Sequence, residues 1–200
     1  MKKYVVNDSE LSIQEIVESI IELNSEMCNF WSDAIGWAPI EAAELLSKSR
    51  LDWQVSLTQY LEHWVAEIDD DNSASLILAW TNLGSIVEGT IKLALSVHYK
   101  DYMKSPDKVK AWGKDKSPDE LQLEKLKVFS NGKLWEKDDS WNEWISSIQK
   151  RRNAIHAFED RELGDFKEFY DNLGTYLKFL THIDGRLPYP DHRHESNNFY

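Results

Sequence analysis

Apolar side chains recur every three or four residues along most of this chain, and that spacing predicts helices. In SELSIQEIVESIIELNSEMCNFWSDAI, from Ser9, one face carries Ile13, Ile16, Val17, Ile20, Leu23, Met27 and Phe30. Asp8 or Ser9 suits its N-cap and Gly36 its end. Pro39 sits where a first-turn proline opens PIEAAELLSKS. RLDWQVSLTQYLEHWVAEIDDD then reads as one helix with Trp53, Leu57, Leu61, Trp64 and Ile68 along one face, closed by Asp69 to Asp71, which suit a helix C-terminus poorly.

The run NSASLILAWTNLGSIVEGTIKLALSVHYKDYM predicts one long helix, whose Gly84 and Gly89 are tolerable if they let another helix pack closely. Polar SPDKVKAWGKDKS, residues 105 to 117, is the clearest break. Ser117, Pro118 and Glu120 then have the spacing of a capping box ahead of PDELQLEKLKVF, and SNGK marks a turn. DSWNEWISSIQKRRNAIHAF predicts the next helix, with Trp141, Trp144, Ile145, Ile148 and Ile155 as its apolar stripe. The last is DFKEFYDNLGTYLKFLTHI, with Phe166, Phe169, Tyr170, Leu173, Leu177 and Leu180 in register. With no sustained alternation, no βαβ pattern and no internal repeat, the expected fold is an all-α bundle. It occupies residues 1–183 as one unit, followed by a proline-containing tail over 184–200.

Composition narrows the functional classes. A formal charge of −12 argues against a broad basic face for duplex nucleic acid but leaves room for a small local basic site. Nine Trp, eight Tyr and seven Phe serve equally as core or as interface anchors. The single Cys28 excludes a disulfide framework within one chain. The opening MKKYVVNDSELSI lacks the apolar run of a signal peptide, and no stretch reaches membrane-spanning length without charge, so a cytoplasmic protein without membrane insertion is the expectation. No glycine-rich phosphate-binding motif is present.

The candidate chemistry lies in SIQKRRNAIHAF, which ends at Phe158. On a continuous α-helix Arg152 and His156 lie about 40° apart, with Asn153 about 60° from His156, so these three face one pocket. Arg151, about 140° away, reaches it only by its length or from a helix end. An imidazole that exchanges a proton with a ribose 2′-hydroxyl or a leaving oxygen, beside an arginine fork that holds phosphate, suits phosphoryl transfer on RNA without a metal or other cofactor. One histidine serves poorly as both base and acid, and a symmetric dimer supplies a second.

RRNAIHAF resembles the Arg-x4-His signature of HEPN-domain proteins (the higher eukaryotes and prokaryotes nucleotide-binding family), with Arg151 and His156 at the matching spacing. Arg152 then stands where the family often has Asn, Asp or His; aligning Arg152 and Asn153 instead shortens the gap to His156. NLGSIVEGTIKLAL is similar to the long helix that precedes the motif helix in some members, so the resemblance spans roughly residues 73–183. It implies an antiparallel HEPN-like bundle with additional N-terminal helices, a homodimer, and metal-independent endoribonuclease activity on RNA in a toxin–antitoxin or other defence setting, with an antitoxin as a possible protein partner.

Blander readings stand beside each of these. His156 next to Ile155 and Phe158 fits a partly buried, satisfied histidine. Arg151 and Arg152 near a helix C-terminus favour the helix dipole, and Glu159, Asp160 or Glu162 are candidate partners. Glu88, inside an apolar run, calls for a cation, and an arginine of the basic stretch is a candidate. Trp112, in the polar break, suits a contact surface, whereas the pair His192 and His194 makes a poor metal site without a fixed third ligand. The competing function is a non-catalytic helical interaction or scaffold protein.

Overall fold

A computed structural model of the chain describes residues 11–66, 73–156 and 160–190. Among the described residues the architecture is an all-α bundle with one very short hairpin. The helices are α1 (Ile13–Ser32), α2 (Ile40–Lys48), α3 (Leu51–Gln59), α4 (Leu61–Ala66), α5 (Ser73–Val97), α6 (Tyr99–Lys104), α7 (Leu123–Ser130), α8 (Trp141–Arg152) and α9 (Phe166–Asp184). None is long and apolar enough to cross a membrane.

Helix α5 is the axle of the bundle. Its apolar positions run almost all round, as expected of a helix surrounded by others, and it packs against α8, α9, α3, α2 and α7. Helix α1 closes the opposite side against α9 and α3. Trp80, Leu83, Ile86, Ile91, Ile148, Phe169 and Phe179 are fully buried in one continuous core that runs from Val17 to Leu187. Burying each such side chain stabilises the fold by roughly 1.5–3 kcal/mol. The tail region begins inside this core: Leu187 is buried, and Tyr189 stacks against Phe30 and Trp31.

Several boundaries differ from the periodic reading. Helix α1 is capped at Ser12, whose hydroxyl accepts from the Glu15 N–H while the Glu15 carboxylate accepts from the Ser12 N–H; Asp8 and Ser9 lie outside the described residues. It ends at Ser32, four residues before Gly36, whose positive φ of 99° turns the connection to α2. Pro39 is the N-cap of α2. Ser117 and Pro118 open only a 3₁₀ turn, Pro118–Glu120, and α7 starts later. Residues 105–117 contain a two-stranded hairpin, Lys110–Ala111 against Lys114–Asp115. Trp112 and Gly113 form its turn, both at positive φ, as a tight two-residue connection requires.

The largest departure is in RLDWQVSLTQYLEHW. The chain divides into α3 and α4 at Tyr60, and Trp53 and Leu57 face solvent; Ile68 lies outside the described residues. The inward face of α3 carries Leu51, Gln54 and Thr58. Gln54 Nε2 donates to the Ile86 carbonyl (2.9 Å), Thr58 Oγ1 to the Gln54 carbonyl (2.8 Å), and Asn24 Nδ2 to Thr58 Oγ1 (2.8 Å). Buried polar groups with partners lose little of their hydrogen bonding on folding. A polar seam therefore takes the place that apolar periodicity assigned to tryptophan and leucine.

Candidate functional site

Helix α8 carries the basic stretch. Its first turns are anchored by Ile145 and Ile148, both fully buried against the core. Its last turn holds Lys150, Arg151 and Arg152, cations placed where the helix dipole favours them. The α-helix then stops. Asn153 to His156 form a 3₁₀ turn, with Ala154 buried while Ile155 and His156 face solvent. Ile155 therefore leaves the apolar stripe assigned to it. The tighter winding also changes the expected facing: at roughly 120° per residue His156 lies about 120° from Arg152 around the axis, not 40°. Arg152 therefore leaves the face it was expected to share with His156, whereas Asn153, three residues before His156 in the same turn, stays on it.

Each arginine is instead held by a carboxylate from another helix. Arg151 Nη2 pairs with Glu168 Oε2 at 2.7 Å, and its guanidinium lies 4.5 Å from the centre of the Trp80 ring. Glu168 is fixed in the first turn of α9, where its N–H donates to the Asp165 capping carboxylate (2.8 Å). Trp80 is itself tied by its indole N–H to the Leu163 carbonyl (2.9 Å). Arg151 thus bridges α8, α5 and α9 through a cation–π contact and an ion pair.

Arg152 crosses α5 at Gly84 and reaches Glu88, with Nη1 2.5 Å from Oε2. The other oxygen of Glu88 takes Lys92 at 2.9 Å, one helical turn along. Burial pushes the Glu88 carboxyl up, but hydrogen bonds from Lys92 and Arg152, joined by their charges, outweigh it and hold the group below its ordinary value. The expected partner for the lone acid of α5 is therefore an arginine of the basic stretch. The partners of the arginines are Glu168 and Glu88, and neither Asp160 nor Glu162 pairs with them; Glu159 lies outside the described residues.

Asn153 is half-buried as the residue that ends α8. His156 is exposed and makes no hydrogen bond among the described residues, so its imidazole is open to solvent. Two cations share Glu88, one pairs with Glu168, and Lys150 is exposed beside them. This is a small positive site within an acidic chain.

Periodicity did not point to Glu168, Trp80 or Lys92. Lys92 was legible as the i+4 partner of Glu88, whereas Trp80 and Glu168 reach Arg151 only through tertiary packing. Trp112 is fully exposed at the hairpin tip, and His192 and His194 lie outside the described residues. No family model, curated protein or solved structure matches this chain.

Proposed function

We propose that the chain is a HEPN-like protein that acts on RNA at the 151–156 segment, as a metal-independent endoribonuclease working as a homodimer. What supports the reading is an exposed imidazole, His156, a few residues along the chain from two arginines that are each held by a carboxylate. An arginine has five N–H donors, so an ion pair leaves others for a phosphate. The Arg152, Glu88 and Lys92 group retains one net positive charge.

In the proposed reaction the imidazole of His156 takes the proton of a ribose 2′-hydroxyl. The 2′-oxygen attacks the adjacent phosphorus, forming the 2′,3′-cyclic phosphate, and the bond from phosphorus to the 5′-oxygen breaks. The imidazolium of the second copy protonates that oxygen, leaving a 5′-hydroxyl end. Arg152 or Arg151 stabilises the charge that develops on the phosphate, and Asn153 supports the turn that presents His156. DNA lacks the 2′-hydroxyl and survives. A toxin or defence role, with an antitoxin as protein partner, is the cellular setting that accords with such an activity.

The experiment is cleavage of RNA by purified protein in excess chelator, comparing Arg151→Ala with Arg152→Ala. Selective loss with Arg151→Ala assigns the wider spacing and selective loss with Arg152→Ala the shorter one. The second reading, a non-catalytic interaction protein in the cytoplasm, draws on the same ion pairs, which also satisfy both arginines structurally, and on the exposed Trp53, Leu57 and Tyr60. It is favoured if folded wild type leaves both single-stranded and structured RNA intact.

A further inference from the structure

Beside the basic stretch, on the far side of Lys92, a groove of about 410 Å³ opens between α2, α3 and α5. Its charged lining is Lys48, Arg50 and Lys92 against the single carboxylate of Asp119. Two of these cations are already paired, Arg50 with Asp52 and Lys92 with Glu88, so Lys48 is the lining cation that no carboxylate holds among the described residues. Arg50 is tied through Nε and Nη2 to Asp52 and lies 4.0 Å over the Trp53 ring, which leaves its third nitrogen free.

Two further features suit a flat, polar-edged ligand. Trp53 keeps 59% of its surface exposed at the groove, an unusual position for the largest apolar side chain. Gln54, only 8% exposed, lines the groove beneath it. Its amide is oriented by donation from Nε2 to the Ile86 carbonyl, so Oε1 is the acceptor, and that oxygen takes no hydrogen bond among the described residues. Gly89 makes the space for it: a Cβ there would stand 2.0 Å from Gln54 Oε1.

We propose that this groove is a nucleotide subsite for single-stranded RNA. A base stacks on the face of the Trp53 indole that Arg50 leaves open and offers an amino edge to Gln54 Oε1, and its phosphate lies between Lys48 and Lys92. The proposal rests on the RNA reading of the 151–156 segment and supplies the track that leads to it. Lys92 and Arg152 grip opposite oxygens of Glu88, so the cation at the groove's edge and the arginine of the basic stretch are joined through one carboxylate. A polyacidic peptide supplies carboxylates for the lysines but no planar ring for the exposed indole. Stacking on an aromatic platform with cations along the backbone is the general solution for single strands.

The test is fluorescence anisotropy of a labelled oligoadenylate with the full chain, with polyglutamate as competitor. Trp53→Ala is expected to weaken binding about tenfold, the loss of one stacked base, and Trp53→Tyr to recover most of it. Lys48→Ala is expected to reduce the dependence of log affinity on log salt by about 0.7, one phosphate of a single strand. Unchanged affinity in Trp53→Ala, no binding by folded wild type, or displacement by polyglutamate at equal charge overturns the subsite. The two readings fail separately. Trp53-dependent binding without cleavage keeps the groove and removes the nuclease; cleavage with a KM insensitive to Trp53→Ala keeps the nuclease and removes the groove.

Discussion

Arg152 lies directly across Gly84, so that a Cβ at position 84 would stand 2.7 Å from its Cδ, 2.8 Å from its Cβ and 2.9 Å from its Cγ. The contact brings α8 against α5 closely enough for the guanidinium to reach Glu88. Because the Cβ of Arg152 is fixed to the backbone of α8, rotation of the side chain cannot relieve the clash.

Gly84→Ala should therefore destabilise the protein by about 1 kcal/mol or more, because overpacking outweighs the roughly 1 kcal/mol that alanine contributes in a helix interior. Urea unfolding measures it. A variant that is more stable than wild type would show that α5 and α8 are not pressed together at this point.

The Glu88 cluster also predicts a pH dependence. The folded carboxyl sits below its ordinary value of 4.5. Its contribution is thus fully present above that value and is lost as pH falls through the folded one. Between about pH 6 and about pH 3, wild type should lose more stability than Glu88→Gln, which has no proton to take up at this site. Parallel curves for the two proteins would contradict the pairing of Glu88 with Arg152 and Lys92.

Cys28 is buried on α1, and burial pushes its thiol up to about 12. Only about one molecule in ten thousand is then thiolate at pH 8, so alkylation of the native protein should be very slow and should become rapid in denaturant. Fast modification of the folded protein, followed by mass spectrometry, would show that α1 opens away from α3 and α9.

The proposed reaction, with one histidine as base and another as acid, predicts self-association. Sedimentation at micromolar concentration should give a dimer, and dissociating it by dilution should abolish cleavage faster than the protein concentration falls. A folded monomer that cleaves RNA would require both proton transfers from a single copy.

The parts of this molecule legible in its sequence are those where burial is apolar and local. Phe166, Phe169, Leu173, Leu177 and Leu180 announce α9 by spacing alone, and all five are buried as that spacing requires. The face of α3 was not legible. Gln54 and Thr58 face inward because hydrogen bonds satisfy them, and Trp53 faces outward; hydrophobic periodicity has no sign for either. At the candidate site the need of Glu88 for a cation could be read from the apolar run around it, and Arg152 supplies it. The end of α8 at Arg152 could not, since AIHAF contains neither glycine nor proline to mark the stop. Trp80 reaches Arg151 from α5 and Glu168 from the next helix, α9, a meeting that only the packed bundle creates.

The most direct test of the central claim is the rate at which single-stranded RNA is cleaved in excess chelator by wild type and by His156→Ala, with circular dichroism confirming that the variant is folded. A nuclease that works through His156 gives 2′,3′-cyclic phosphate and 5′-hydroxyl ends from wild type, no cleavage of the matching DNA, and a rate lower by about 10²–10⁴ in His156→Ala. Cleavage by folded His156→Ala at the wild-type rate would contradict it.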